Sequence, residues 1–199
     1  ESLAIANGKS WEGFQEQRRE IAQLQARFPQ IRILQGAEVE IKADGSLDFP
    51  GEMLAQLDIV IASIHSGLRQ EEAQITARVI KAMRNPHVDI LGHPSGRILG
   101  QREASAVNLD QVIQVAAESG TILEINSIPD RLDLDDVYIR QALRKGVKLA
   151  INSDAHSTSG LDAVRYGVAT ARRGWARAED IVNTMPLEEL LTLLSTRRG

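Results

Sequence analysis

Several of the chain's metal-ligand-type side chains sit where apolar runs stop. The run 147–151 ends in Asn152, Ser153, Asp154, Ala155 and His156, so a carboxylate and an imidazole stand two residues apart at one strand terminus. Two other runs end the same way: LDIVIASIH stops at His65 and VDILGH at His93, while RILQGAEVEI carries Glu38 near its end. The steps Glu38 to His65, His65 to His93, His93 to Asn126 and Asn126 to Asp154 are 27, 28, 33 and 28 residues, each close to one βα unit. Imidazoles and carboxylates collected at the carboxyl ends of parallel strands form the donor set of a hydrolytic metal site.

Each residue taken alone has a plainer explanation. A single strand-end histidine is as often hydrogen-bonded to backbone as bound to metal. Glu38 and Glu40 share a strand face, so either could point inward, or both could be solvated. On TILEINS, Asn126 stands at the terminus, where it could orient a substrate, and the deeper Glu124 is expected to satisfy a neighbour inside the fold. Arg97, four residues after His93, is a possible phosphate clamp. His87 precedes its strand and is given no role. Four strand ends in one register, carrying Glu, His, His and Asp-x-His, are harder to explain by packing and point to a polynuclear metal hydrolase.

Positioning these groups needs alternating strands and helices. Ser10 caps a helix bearing Phe14, Ile21, Leu24 and Phe28, which Pro29 ends. Strands are expected over 31–41, 57–64, 88–91, 121–125 and 147–151, with a turn at Asp44 and Gly45. Helices are expected over 71–84, 109–119, 135–145, 161–173 and 178–196, the last restarting at Pro186. Such alternation gives an α/β fold with a parallel sheet and right-handed crossovers. Five strands are too few to close a barrel.

Composition narrows the function. With 199 residues and no linker-like segment, the chain reads as one domain. A net charge of −4 excludes a protein that grips nucleic acid over a broad basic surface. The chain has no cysteine, which leaves His and carboxylates as metal ligands. No apolar stretch reaches roughly 18 residues and no signal peptide opens the sequence, so no membrane partner and a cytoplasmic location are expected. The first residue is Glu1 rather than Met, as in a piece of a longer chain.

These motifs resemble the PHP (polymerase and histidinol phosphatase) family, and more narrowly the carboxyl-terminal PHP domain of bacterial and archaeal family X DNA polymerases. The resemblance is carried by SLAIANGKS at 2–10, GAEVEI and DGSLDFP within 36–50, ASIHS at 62–66 and DILGHPSGR at 89–97. It continues through LEINSIPDRLDLDD at 123–136, INSDAH at 151–156 and YGVATARRGW at 166–175. It implies a distorted (β/α)7 TIM-like barrel with up to three divalent metal ions, Mn, Zn or Fe, at the strand ends. By the family's motifs the ligands are Glu38, His65, His93, Asp154 and His156; Arg97 or Arg131, which those motifs do not assign, is expected to offset charge on a phosphate. The implied activity is a Mn-dependent 3′-5′ exonuclease that serves a repair polymerase, acting on a DNA strand end delivered by the polymerase domains. The alternatives are a small-molecule phosphatase of the histidinol-phosphatase type, or a structural module without catalysis.

In the family, the first strand ends in His-x-His and the second in an Asp and a His just before SLAIANG. This sequence starts after both, so residues 1–199 are expected to be the carboxyl-terminal part of a single PHP domain lacking its first two strands. Such a piece is expected to bind metal incompletely and to self-associate through exposed sheet edges.

Overall fold

The structure is a computed structural model and describes residues 9–198. It is an α/β fold with one five-stranded parallel sheet, made of β1 (Gly36–Glu40), β2 (Ile59–Ser63), β3 (Ile90–Leu91), β4 (Ile122–Asn126) and β5 (Leu149–Asn152). The strands lie side by side in sequence order, as repeated right-handed βα units require. The helices are α1 (Trp11–Arg27), α2 (Gly51–Leu54), α3 (Glu72–Met83), α4 (Leu109–Ser119), α5 (Asp136–Arg144), α6 (Val164–Arg173) and α7 (Leu187–Arg198). Among the described residues, no helix is long and apolar enough to cross a membrane.

Local chemistry sets most boundaries. The Ser10 side chain accepts from Gly13 N and opens α1; Asn108 accepts from Gln111 N and opens α4; Asp135 accepts from Val137 N and Tyr138 N and opens α5. Gly120 ends α4 in the left-handed conformation at φ +70°.

The register divides the sheet into faces. Gly36 pairs with Ile59, Glu38 with Ile61 and Glu40 with Ser63; Ile90 pairs with Ile122, Glu124 with Ala150 and Asn126 with Asn152. Side chains of paired positions in a parallel sheet point the same way. One face therefore carries Val39, Val60, Ala62, Leu91, Leu123, Ile125 and Leu149, packed in one core with Ile75 and Val79 of α3, Val112 and Ile113 of α4, and Ile139 of α5. The other face changes character along its length. Its amino half presents Ile90, Ile122 and Ala150, which pack with Val182 and with Leu194 of α7. Its carboxyl half presents Glu38, Glu40, Ser63, Glu124, Asn126 and Asn152. With both faces covered, the strands read as nearly unbroken apolar runs.

Three expectations need correction. The strand expected over 31–41 begins only at Gly36, because Ile31 O and Ile33 N bond to the Gln25 side chain of α1 and β2 begins opposite Gly36. The helix expected from residue 161 is a 3₁₀ turn, Thr158–Ala163, before α6. The helix expected over 178–196 is two 3₁₀ turns, Ala178–Asp180 and Val182–Thr184, followed by α7. There the chain bridges β5 instead: Ile181 pairs with Leu149, and the Asn183 side chain accepts from Ile151 N at 2.8 Å and donates to Ile151 O at 2.9 Å. The short helix α2 was not expected. The SLAIANG part of the first motif lies outside the described residues.

Gly167 is where α6 approaches the sheet most closely: an added Cβ would sit 2.1 Å from Ser127 Oγ and 2.7 Å from Ile151 Cγ2. Replacing a helical glycine by alanine normally gains about 1 kcal/mol. Overpacking here costs about 1–3 kcal/mol and decides the sign. Gly167→Ala is therefore expected to lower the urea midpoint with the slope unchanged; an increase would contradict the packing described.

Candidate metal centre

The strand ends bring three ligand-type groups together. Glu38 from β1, His65 just after β2 and His93 just after β3 place one ligand atom each within 4.8 Å of one another. Glu38 Oε1 lies 3.0 Å from His93 Nε2 and 3.3 Å from His65 Nε2, and accepts from Ser63 Oγ at 2.5 Å. The two imidazole rings meet edge to face at 5.1 Å.

Behind this cluster stands Glu40. Its Oε2 lies 2.8 Å from His65 Nδ1 and accepts from His65 N at 3.0 Å, while Oε1 accepts from Ser66 N and Ser66 Oγ. Arg78, a fully buried side chain of α3, closes the network. Its Nη2 is 3.3 Å from Glu40 Oε1, Nη1 donates to Ser66 O at 2.9 Å, and Nε donates to Ile41 O. A carboxylate holding His Nδ1 fixes the ring so that Nε2 faces the centre, the arrangement that supports metal-bound histidines.

Charges follow from these contacts. Burial opposes ionisation of Glu38, but the hydrogen bonds to His65 and His93 hold its carboxyl far below the usual range. Burial also opposes charge on His65, yet the flanking Glu38 and Glu40 carboxylates raise it to about 9.

The turn after β3 is held from two sides. The buried Glu124 accepts from His93 N at 2.6 Å and from Asn152 Nδ2 at 2.8 Å, and burial pushes its carboxyl up. Asp133, also pushed up by burial, accepts from Ser95 N and Gly96 N. His93 at φ +26° and Asp154 at φ +50° occupy left-handed backbone, which costs non-glycine residues about 1–3 kcal/mol and persists only where surroundings enforce it.

Asp154 lines the same cavity as Glu38 and His93, about 460 Å³ in volume, with Leu161 and Val164 as an apolar wall. Its Oδ2 accepts from Asn126 Nδ2 at 3.0 Å and lies 4.0 Å from Arg131 Nε. His156 is at the rim: its side chain is 70% exposed and its Nδ1 donates to Asp154 O at 2.8 Å. Arg97 is not where a phosphate clamp would be. Its guanidinium donates to Arg131 O and Leu132 O and pairs with Asp135, so it braces the 131–135 loop. Arg131 Nη1 is buried without a hydrogen-bond partner among the described residues. His87 stands apart, beside Gly51 at the start of α2. Sequence reasoning did not single out Arg78 or Asp133.

Over 192 residues, 96% of its length, the chain is 42% identical to the DNA polymerase/3'-5' exonuclease PolX of Bacillus subtilis (strain 168). It is 31% identical over 176 residues to a probable phosphatase of Shewanella sediminis (strain HAW-EB3), which covers 84% of this chain and 69% of that protein. The chain belongs to the PHP family. A probable phosphatase of Thermoanaerobacter sp. (strain X514) is 31% identical over 164 residues, or 77% of this chain. The chain spans 34% of the length of the Bacillus PolX and 64% of the Thermoanaerobacter phosphatase. No protein-family model matches the chain.

Two imidazole Nε2 atoms and a carboxylate oxygen, with Glu40 bracing one ring, form a donor set that fits Mn, Zn or Fe. An ion entering this PHP site must displace the His65 proton. Apparent affinity is expected to rise about tenfold per pH unit up to pH 9. In the metal-free protein the sign is opposite: the His65 pKa is raised from 6.5 to about 9, so its stabilisation is complete below pH 6.5 and lost as pH rises through 9. Thermal melts across this interval should show a midpoint that falls with chelator and stays level with saturating Mn, where neither the metal-bound nor the unfolded chain carries the His65 proton; a midpoint that falls equally in both would refute the assignment of His65. Glu40→Gln should weaken metal binding by about 10–100-fold, measured by titration calorimetry, and wild-type affinity in this variant would remove Glu40 from the site.

Proposed function

We propose that this chain is part of a divalent-metal phosphoesterase that hydrolyses phosphodiester bonds at a DNA strand end, as a Mn-dependent 3′-5′ exonuclease, and that residues 1–199 alone have little of that activity. The observation that carries the proposal is the convergence of Glu38, His65 Nε2 and His93 Nε2, with Glu40 holding the far side of the His65 ring. Glu38, His65 and His93 would hold one ion, Glu38 and Asp154 would share a second, and His156 would help hold a third. Bound ions there would acidify a coordinated water and offset charge on the phosphoryl oxygens.

The protein's own groups do the rest. Asn126 fixes the Asp154 carboxylate, Glu124 fixes the backbone beneath His93, and Leu161 and Val164 limit water on one side of the cavity. Arg131, whose Nη1 has no hydrogen-bond partner among the described residues, would be the cation that meets charge developing on phosphate. Hydrolysis adds the water oxygen to phosphorus and breaks the bond to the leaving sugar oxygen, which takes the water's proton.

The Bacillus relative, named for polymerase and 3'-5' exonuclease activities, supports the diester reading. A formal charge of −4 fits a domain that receives its strand end from polymerase domains of a longer protein during cytoplasmic DNA repair. The parallel-sheet order β1 to β5 supports an arc of the distorted TIM-like barrel. The phosphatases among the relatives favour a second reading, hydrolysis of a small phosphomonoester in the same cavity.

The assay compares Mn-dependent release from labelled single-stranded DNA with hydrolysis of p-nitrophenyl phosphate. Cleavage of DNA is expected of a longer protein that also carries the family's His-x-His and Asp/His motifs, with little from residues 1–199 alone, and cleavage of the monoester alone would transfer the chain to the second reading. In that longer protein His93→Ala should cut activity, and affinity for the ion that Glu38 and His65 would hold, by at least about 100-fold, since even bracing residues cost 10–100-fold. His87→Ala should leave both within about twofold. Equal losses in two folded variants would sink the ligand scheme.

A further inference from the structure

A second cavity, about 630 Å³, shares His65 with the metal centre. While the His65 Nε2 faces Glu38, its ring also lines this cleft, whose other walls include Arg69, Gly96, Gln101 and Arg102. The two arginines are exposed and differ from the ion-paired arginines elsewhere. Arg102 Nε donates to Gly96 O at 2.9 Å, and its terminal nitrogens have no partner among the described residues. Arg69 likewise has no ion pair or hydrogen bond among the described residues. Glu103 is the one carboxylate in the lining. Beyond Arg102 lies Arg131, whose positive charge, added to burial, disfavours the Arg102 cation. Two guanidinium groups, Arg69 and Arg102, thus line the cleft beside the cluster against one carboxylate, while Arg131 lies outside the lining, 4.0 Å from Asp154.

Unpaired guanidinium groups facing a cleft are matched by phosphate oxygens, which accept their forked donors. Gly96, at φ +66°, keeps the wall free of a side chain; an added Cβ would come within 3.2 Å of Leu68 Cδ2. A phosphomonoester in the Glu38 cavity would need no second anion site on the far side of His65. We propose that the Arg69–Arg102 cleft binds the phosphodiester backbone of nucleotides next to the reacting one, so that the ligand is a single strand of DNA several nucleotides long. This deepens the phosphoesterase reading and rests on it for the identity of the reacting group.

The test reads binding with metal chelated, so that it is independent of hydrolysis. A fluorescent single-stranded DNA decamer is titrated by anisotropy at several salt concentrations against the unaltered chain, R69A/R102A and R69K/R102K. Loss of both arginines is expected to weaken binding about tenfold and to reduce the salt slope by about 1.4, at about 0.7 per phosphate on a single strand. The lysine pair should keep the slope, and a methylphosphonate decamer should bind the unaltered chain as poorly as phosphodiester DNA binds the alanine pair. Unchanged affinity in R69A/R102A, weaker binding with an unchanged slope, or no binding by the unaltered chain would each overturn the proposal. A longer protein carrying the family's His-x-His and Asp/His motifs that is inactive but still shows the expected binding pattern would sink the phosphoesterase reading and leave the cleft assigned.

Discussion

Two carboxylates two residues apart on one strand face must be compensated where β1, β2 and α3 meet. Glu38 and Glu40 point to the same side of β1, and burial disfavours charge on both. Like charges so placed would repel, and desolvation would add to the cost. His65 lies between them, Nε2 toward one and Nδ1 toward the other, and Arg78 reaches Glu40 from below. The positions of β2 and α3 relative to β1 are therefore fixed by ion pairing as well as by the apolar core. Removing one partner would leave an uncompensated charge in a place where water cannot reach it freely.

The same sheet face explains how structure and chemistry coexist. Its amino half is aliphatic and sealed by Val182, Leu190, Leu193 and Leu194, and its carboxyl half is carboxylate, amide and imidazole. A two-residue side-chain period makes this division sharp: Ile122, Glu124 and Asn126 stand in one column, passing from sealed core to open site within one strand. Glu124, at the midpoint, is nearly all buried and is held by Asn152 and by the backbone of His93.

Much of this was legible in the sequence because apolar runs that stop at His65 and His93 report both the strand and its end. The cap at Ser10 and the stop at Pro29 were legible for the same local reasons. What was not legible depends on contacts across the chain. Glu38 and Glu40 are equivalent to a reader of spacing, and only His65 and Arg78 distinguish them. Arg78 on an amphipathic helix reads as solvated, although its side chain is buried. Arg97 four residues after His93 suggests a clamp until the carbonyls of Arg131 and Leu132 are seen to occupy it. Residues 178–184 carry helical spacing, but β5 needed partners for its outer edge and won them.

That outer edge has a consequence for assembly. The Asn183 amide meets both the N–H and the C=O of Ile151, imitating one peptide unit of a sixth strand. A parallel sheet normally invites extension at either end. Here the β5 side is stoppered by a single side chain and by Ile181, whereas β1 has a strand neighbour on one side only among the described residues. The sheet is thus directional, with one end closed to recruitment, and any polypeptide that joins it by strand pairing must do so next to Glu38 and the candidate metal centre.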